Sequence, residues 1–197
     1  LKNVSFNLKE GDIVGLYGHN GSGKSSLLRL AAGIYTPSTG YIKRNGSIKT
    51  MIDPNVGMNP ELSGYDNIIR VGLMQGFTLD EITYLSPSIE EFSSLGSFLS
   101  MPVKTYSSGM LMRLTFSVIF CGTADILLID EALSAGDKSF SEFASKKILE
   151  QINQSRCVLV ASHNPNQLLD ICNKIFFLHQ GNLSELSKKE FTKKLNL

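Results

Sequence analysis

The sequence predicts an α/β fold: a core built on a mostly parallel sheet, with a small antiparallel β part and an inserted helical subdomain. Three observations lead there. Ile13 to Tyr17, Ile126 to Ile129, Cys157 to Ala161 and Ile175 to Leu178 are short apolar runs of the kind that form strands covered on both faces. Helical patterns alternate with these runs, and a glycine-rich loop joins the first run to the first helix. From Asn59 to Gly122 the alternation stops, and short helical patterns separated by Gly, Ser and Pro replace it.

In chain order, Val4, Phe6 and Leu8 alternate with Ser5, Asn7 and Lys9, the period of a half-buried strand. Glu10-Gly11-Asp12 is a turn into the first buried strand. A helix follows from about Lys24 to Gly33, with Leu27, Leu28, Leu30 and Ala31 as its apolar face, and Pro37 and Gly40 punctuate its exit. Asn45-Gly46 predicts a hairpin between two short strands. Inside the insert, helices are expected at Asp66 to Gly72, Leu79 to Leu85 and Ile89 to Leu99. Beyond it come a strand at Ile126, a helix from Phe140 to Asn153, the strand at Cys157, a helix from Pro165 to Cys172, and a last strand before the Gln180-Gly181 turn. There is no internal repeat and no low-complexity segment.

A chain of 197 residues suits one domain and can bury a core without staples. Its formal net charge is +1, so no bulk field recruits nucleic acid or an anionic membrane. Lys188, Lys189, Lys193 and Lys194 form a local basic cluster that reads as a solvated helix face. Cys121, Cys157 and Cys172 are far apart, odd in number and set in apolar stretches, which suits buried free thiols in a reducing cytosol. No apolar run reaches the roughly 18 residues of a membrane span. The chain opens in mid-pattern at Leu1 without an initiator Met, so a further segment is expected upstream.

Gly18-His19-Asn20-Gly21-Ser22-Gly23-Lys24-Ser25 matches the G-x-x-x-x-G-K-[ST] pattern in full, with a buried strand before it and an amphipathic helix after it. Glycines let successive backbone N–H groups turn inward around phosphate oxygens, and a helix N-terminus favours an anion. Residues 18–26, ending at Ser26, are therefore the expected nucleotide-binding loop. Lys24 carries the positive charge for the β- and γ-phosphates, and the Ser25 hydroxyl is a ligand for Mg²⁺. His19 holds a variable position of the pattern and needs no role as a base.

Ile126-Leu127-Leu128-Ile129-Asp130-Glu131 is an apolar strand ending in two carboxylates. Downstream of a complete phosphate loop, Asp130 is expected to support Mg²⁺. Glu131 points elsewhere because the strand period is two, which places it to activate or orient the attacking water. To this point the pattern describes an NTPase with a phosphate loop and leaves its kind open.

Tyr106-Ser107-Ser108-Gly109-Met110, followed by a helix with Arg113, resembles the signature of the ABC (ATP-binding cassette) family, commonly Leu-Ser-Gly-Gly-Gln. Ser107 and Gly109 match that form; Tyr106, Ser108 and Met110 depart from it. The order of motifs also matches: phosphate loop, helical insert, signature, acidic strand, then a histidine. The resemblance implies that Ser107, Ser108, Gly109 and Met110 bind the γ-phosphate of ATP held by a second copy, so a homodimer would clamp two ATP molecules. It also implies a D-loop over Ala132 to Asp137 and a switch histidine at His163, which would hold the γ-phosphate and the attacking water. His179, at a strand end beside a turn, reads as structural. The implied layout is a single ABC ATPase domain over 1–197, truncated at its N-terminus, with a nucleotide-binding core at 1–58 and 123–183, a helical subdomain at 59–122 and a tail at 184–197.

Tyr-Ser-Ser-Gly-Met followed by Arg-Leu-Thr-Phe-Ser looks like the ATPases that export bacterial O-antigen, capsule or teichoic acid with an integral membrane permease. Asn59 to Gly64, Ile89 to Phe92, Pro102 to Tyr106 and Ala135 to Asp137 look alike as well. That branch implies a peripheral protein on the cytoplasmic face of the inner membrane. Three departures matter. No Gln occurs between Met51 and Asn59 where the family senses Mg²⁺, and Asp53 is the nearest polar candidate. The adenine-stacking aromatic of the family lies upstream of Leu1, and Phe6 reads as core. Only a short tail follows Gly181, so no direct glycan-binding domain is expected. The rival readings are a nucleic-acid or ribosome remodelling ATPase, a non-hydrolysing pairing module, and a plain kinase or GTPase. The absence of a long coiled-coil insertion, the pair Glu131 and His163, and the signature stretch respectively weigh against them.

Overall fold

The four apolar runs become the four central strands of one six-stranded sheet, and the more polar strands take its edges. The computed structural model describes residues 1–52, 57–130 and 138–195, with backbone alone over 138–143. In chain order the elements are β1 Ile13–Tyr17, α1 Lys24–Ala32, β2 Ile48–Met51, α2 Gly64–Met74 and α3 Leu79–Ser93. Two short 3-10 turns, Gly96–Ser100 and Val103–Thr105, lead to α4 Ser108–Ile119. Then come β3 Ile126–Asp130, α5 Lys138–Gln154, β4 Cys157–Ala161, α6 Pro165–Ile171, β5 Lys174–His179, β6 Asn182–Leu186 and α7 Lys188–Leu195. The sheet order is β2-β3-β4-β1-β5-β6, parallel throughout except for the antiparallel pair β5–β6. Burial explains the order: β4, buried at every residue, lies inside, while β6 is mostly exposed and lies at an edge.

The described residues divide into two compact units, one within Leu1–Ile52, Ala124–Ala132 and Ile152–Leu197, the other within Asp53–Thr123 and Leu133–Gln151. In the first, Val14, Leu16, Leu128, Leu159, Ala161, Phe176 and Leu178 of the sheet pack with Leu27 and Leu28 of α1. On the other face α6 presses close to β1: a Cβ at Gly15 would stand 2.9 Å from Ile175 and 3.1 Å from Cys172 and Leu168. In the second unit α2, α3 and α4 enclose a core of Ile68, Val71, Ile82, Ile89, Leu99, Leu114 and Val118. Cys121, Cys157 and Cys172 are buried free thiols, and burial pushes Cys172 up to about 12. Among the described residues, no helix is long and apolar enough to cross a membrane.

Three elements differ from the sequence reading. Residues 4–8 form no strand; Val4 and Leu8 pack half-buried on the core and Phe6 sits edge-on to Phe176 at 5.2 Å. Phe6, read as core, is instead 37% exposed, so burial here recurs every fourth residue and does not follow the two-residue period of a half-buried strand. Asn45-Gly46 makes no hairpin. The Ser47 N–H and hydroxyl each donate to Asp125 at 2.8 Å, which steers the chain alongside β3, so β2 runs parallel to it. The antiparallel hairpin is instead β5–β6, turned by Gln180 (φ 48°) and Gly181 (φ 82°). Finally, the two helices expected at 79–85 and 89–99 are one helix, α3, which continues through Pro87 to Ser93. Ile82 and Ile89 are buried on both sides of the proline, so packing sustains the helix across it.

At the start of β1, Asp12 is buried and its carboxylate meets Lys174 at 2.7 Å and the Lys9 N–H at 2.8 Å. Burial raises this carboxyl, but Lys174 and the Lys9 backbone together outweigh it and hold the group below its usual 3.8. A carboxyl lowered on folding gives its full stabilisation above its unfolded value and loses it as pH falls through the folded one. Asp12→Asn is therefore expected to lower stability at neutral pH and to flatten the acid limb of stability below about pH 4. Urea unfolding midpoints across the acid range check this; parallel acid limbs in the two proteins would contradict it.

Candidate functional site

The parallel register assembles the site at one edge of the sheet. Leu16 of β1 and Asp130 of β3 both pair with Ala161 of β4, so three strands end in a row. From that row the chain continues into Gly18 beyond β1 and into His163 beyond β4, and the carboxyl edge is where open α/β sheets bind ligands. Glu131, the stretch Ala132 to Asp137, and Asp53 lie outside the described residues.

Local chemistry shapes the loop after β1. A side chain at Gly18 would run into the Leu178 carbonyl oxygen and come within 2.6 Å of the Ser22 hydroxyl. Gly21 and Gly23 hold φ of 78° and 106°, which turns the backbone in a way other residues resist. Lys24 is buried, and its ammonium donates to the carbonyls of Gly18 at 2.8 Å and His19 at 3.3 Å. The loop thus curls around its own lysine. His19, Asn20, Gly21 and Ser26 are exposed at the rim, while Ser22 and Ser25 are partly buried.

The N-terminus of α1 has neither a capping side chain nor an acidic residue in its first turn. By contrast, α2, α3 and α7 begin with Ser63–Asp66, Thr78–Glu81 and Ser187–Glu190 reciprocal caps, each supplying its own carboxylate. An open cavity of about 500 Å³ lies over the α1 N-terminus, lined by Asn20, Gly21, Gly23, Lys24, Ser25, Ser26, Ile52 and Asp130. The buried Ser22 hydroxyl has no hydrogen-bond partner among the described residues. An uncapped N-terminus, inward-turned glycines, a lysine and an unsatisfied hydroxyl suit a phosphate chain. The Ser25 hydroxyl and Asp130 carboxylate face the same cavity and form a donor set of the all-oxygen kind that Mg²⁺ takes.

At the end of β4 the turn is tightly held. The Ser162 hydroxyl donates to Gln167 at 2.9 Å and accepts from the Asn164 N–H at 3.0 Å, and Asn164 caps α6 ahead of Pro165. His163 is exposed within that turn. His179 is exposed beside the β5–β6 turn and stacks on Phe177 at 6.1 Å.

Within the second unit Ser107 is the N-cap of α4, and its hydroxyl accepts the Met110 N–H at 3.2 Å. Ser107 and Ser108 are exposed, Gly109 and Met110 partly so, and the first turn of α4 carries no acidic residue. Sequence reasoning missed two contributors. Ile52 lines the cavity because β2 pairs beside β3, which the hairpin reading had hidden. Ser162 locks the histidine turn, a role signalled only by the Asn164-Pro165 helix start.

A glycine-rich loop between a central parallel strand and an uncapped helix, with an aspartate at the end of the strand two positions away, defines a P-loop nucleotide-binding protein. The ABC transporter family profile matches residues 1–134. The O-antigen export system ATP-binding protein RfbE of Yersinia enterocolitica is 49% identical over 187 residues, covering 95% of this chain and 78% of that protein. The teichoic acids export ATP-binding protein TagH of Staphylococcus saprophyticus is 43% identical over 188 residues, covering 95% of this chain and 71% of that protein. Among solved structures, an ATP-binding cassette in a dimeric post-hydrolysis state with ADP and phosphate shares the fold, with a TM-score of 0.75 at 22% identity over 95% of this chain and 90% of that one. The chain belongs to the ABC transporter family, as an ATPase subunit.

Proposed function

We propose that this subunit powers export of a surface polysaccharide or lipid-linked glycan by binding and hydrolysing ATP between two copies of itself. The cavity that joins Lys24, Ser25 and Asp130 at one sheet edge is the observation that carries the ATPase reading. The substrate class rests on RfbE and TagH, whose names describe O-antigen and teichoic acid export.

In this reading residues 18–26 wrap the phosphates, and Lys24 neutralises charge on the β- and γ-phosphates. Ser25 and Asp130 would hold Mg²⁺, which when bound supplies further positive charge to the phosphates. Glu131 accepts a proton from the attacking water or orients it, and His163 holds that water and the γ-phosphate. Ser107 to Met110 of the second copy close on the γ-phosphate with the Ser107-capped first turn of α4, which carries no acidic residue. Positioning and electrostatics supply most of the rate. We further assign residues 59–122 as the helical subdomain, 1–58 and 123–183 as the core and 184–197 as a tail. The working location is the cytoplasmic face of the membrane, bound to an integral permease.

Helix α2 supports the permease contact. It buries Ile68 and Val71 yet exposes Ile69 at 41%, Leu73 at 47% and Met74 at 57%. Ile69 and Leu73 are four apart and share a helix face, an apolar stripe suited to a cytoplasmic loop of the permease. Ile69→Glu with Leu73→Glu is expected to leave ATP hydrolysis by the isolated subunit within about twofold, since exposed substitutions rarely disturb a fold. Glycan export in cells carrying the double variant is expected to stop. Normal surface glycan in those cells would overturn the assignment of the stripe.

A further inference from the structure

Between the start of α2 and the start of α4, two chain segments are laced together by hydrogen bonds within the second unit. Val103 N–H donates to the Leu62 carbonyl at 2.9 Å, Lys104 N–H to Pro60 at 2.8 Å and Gly64 N–H to Met101 at 3.2 Å. A bridge joins Ser63 to Pro102, and Lys104 meets Glu61. Asn67 anchors one side. It is fully buried, accepts the Asn59 N–H at 2.7 Å, and donates through its amide to the carbonyls of Asn59, Leu62 and Ser63 at 2.9 to 3.2 Å.

Tyr106 anchors the other side, immediately before the Ser107 cap. Its N–H donates to the Val103 carbonyl at 2.9 Å and its hydroxyl to the Phe98 carbonyl at 2.7 Å. The ring occupies space that only a glycine at position 64 leaves open: a Cβ there would collide with the Tyr106 hydroxyl. Burial raises the Tyr106 phenol, and the charge of nearby Tyr65 adds to this, so the hydroxyl stays a donor. Where this signature departs from Leu at its first position, the replacement therefore makes a directional bond that leucine cannot.

We propose that Tyr106 and Asn67 are positioning residues: they lock residues 59–67 and 98–107 into one hydrogen-bonded piece, which sets the direction in which the Ser107-capped end of α4 meets ATP on a second copy. The inference rests on the two-copy reading given above. It assigns to the tyrosine hydroxyl a role in closure and none in binding nucleotide to the subunit's own phosphate loop.

The test uses the full-length subunit with Glu131→Gln as parent, and measures ATP-dependent self-association by sedimentation and ATP affinity of dilute monomer by filter binding. Tyr106→Phe keeps the ring and removes the bond. It is expected to weaken self-association about tenfold, because the loosened Ser107 end enters the contact twice per dimer and each copy must then be ordered on pairing at a cost of up to about one hydrogen bond. Monomer ATP affinity is expected to stay within about twofold, since the bond removed joins Tyr106 to the Phe98 carbonyl inside its own unit. Thr78→Ala, which breaks the α3 cap in the same unit, is the control for a general loss of stability and is expected to leave self-association unchanged. If the parent associates and Tyr106→Phe matches it, or if Thr78→Ala weakens association as much, the positioning role is wrong while the two-copy reading stands. If the parent itself remains monomeric with ATP bound, both fall.

Discussion

Lys24→Ala is expected to lower ATP hydrolysis by at least about 10²- to 10³-fold, the loss typical when one preorganised charge-stabilising group is removed from a phosphoryl or acyl transfer site. Two features of the structure make the effect large. The ammonium is buried and already oriented by the Gly18 and His19 carbonyls, so its field acts on the cavity with little screening. The same two bonds hold the loop in its curled form, so alanine also loosens the cradle. Lys24→Arg separates the two contributions. It keeps the charge but presents a planar fork in place of a compact ammonium. It is expected to remain severely impaired, because the space between the two carbonyls suits one nitrogen. Initial ATPase rates of both variants, with circular dichroism to confirm folding, check this; near-normal turnover in Lys24→Ala would remove the loop from catalysis.

Glu131→Gln is expected to leave ATP binding intact while slowing turnover by about 10²- to 10⁴-fold, the range for loss of a general base. The substitution replaces one carboxylate oxygen with an amide nitrogen and preserves size, so the nucleotide contacts proposed for Lys24 and Ser25 are expected to be untouched. Its consequence reaches beyond rate. With hydrolysis blocked, the ATP-bound state persists, and any assembly held together by ATP accumulates. Equal loss of binding and turnover in this variant would show that Glu131 contributes to nucleotide affinity instead.

Much of this site was legible because its chemistry is local. Gly18 to Ser25 specifies its own geometry through glycine φ angles and a helix start, and Asp130 follows from the end of an apolar strand. The central strands β1, β3, β4 and β5 were equally plain, since burial on both faces leaves an unbroken apolar run. What escaped depends on partners far along the chain. The course of β2 is decided by Ser47 bonding Asp125, 78 residues away, which overrides the turn tendency of Asn45-Gly46. Helix α3 survives Pro87 because Ile82 and Ile89 are buried by α2 and α4, and no window of sequence around the proline contains that information. Strand β6 was invisible for the opposite reason: Asn182 to Leu186 is polar and exposed, and its pairing with β5 is set by the Gln180-Gly181 turn. Tyr106 and Asn67 belong to the same class. Tyr106 stands out in sequence only as a departure from the usual signature Leu and Asn67 not at all, and each acquires its role from the carbonyls that the fold brings to it.

The central claim is that the phosphate loop of one copy and the Ser107 end of α4 from another share a single ATP. Sedimentation of the full-length Glu131→Gln subunit, with and without ATP, tests it most directly. The account predicts monomer alone and with ADP, dimer with ATP, and monomer again when Ser107→Arg is added, although that double variant still binds ATP. A Glu131→Gln subunit that binds ATP at one site per chain yet sediments as a monomer at every concentration, or a Ser107→Arg variant that dimerises as well as its parent, would contradict it.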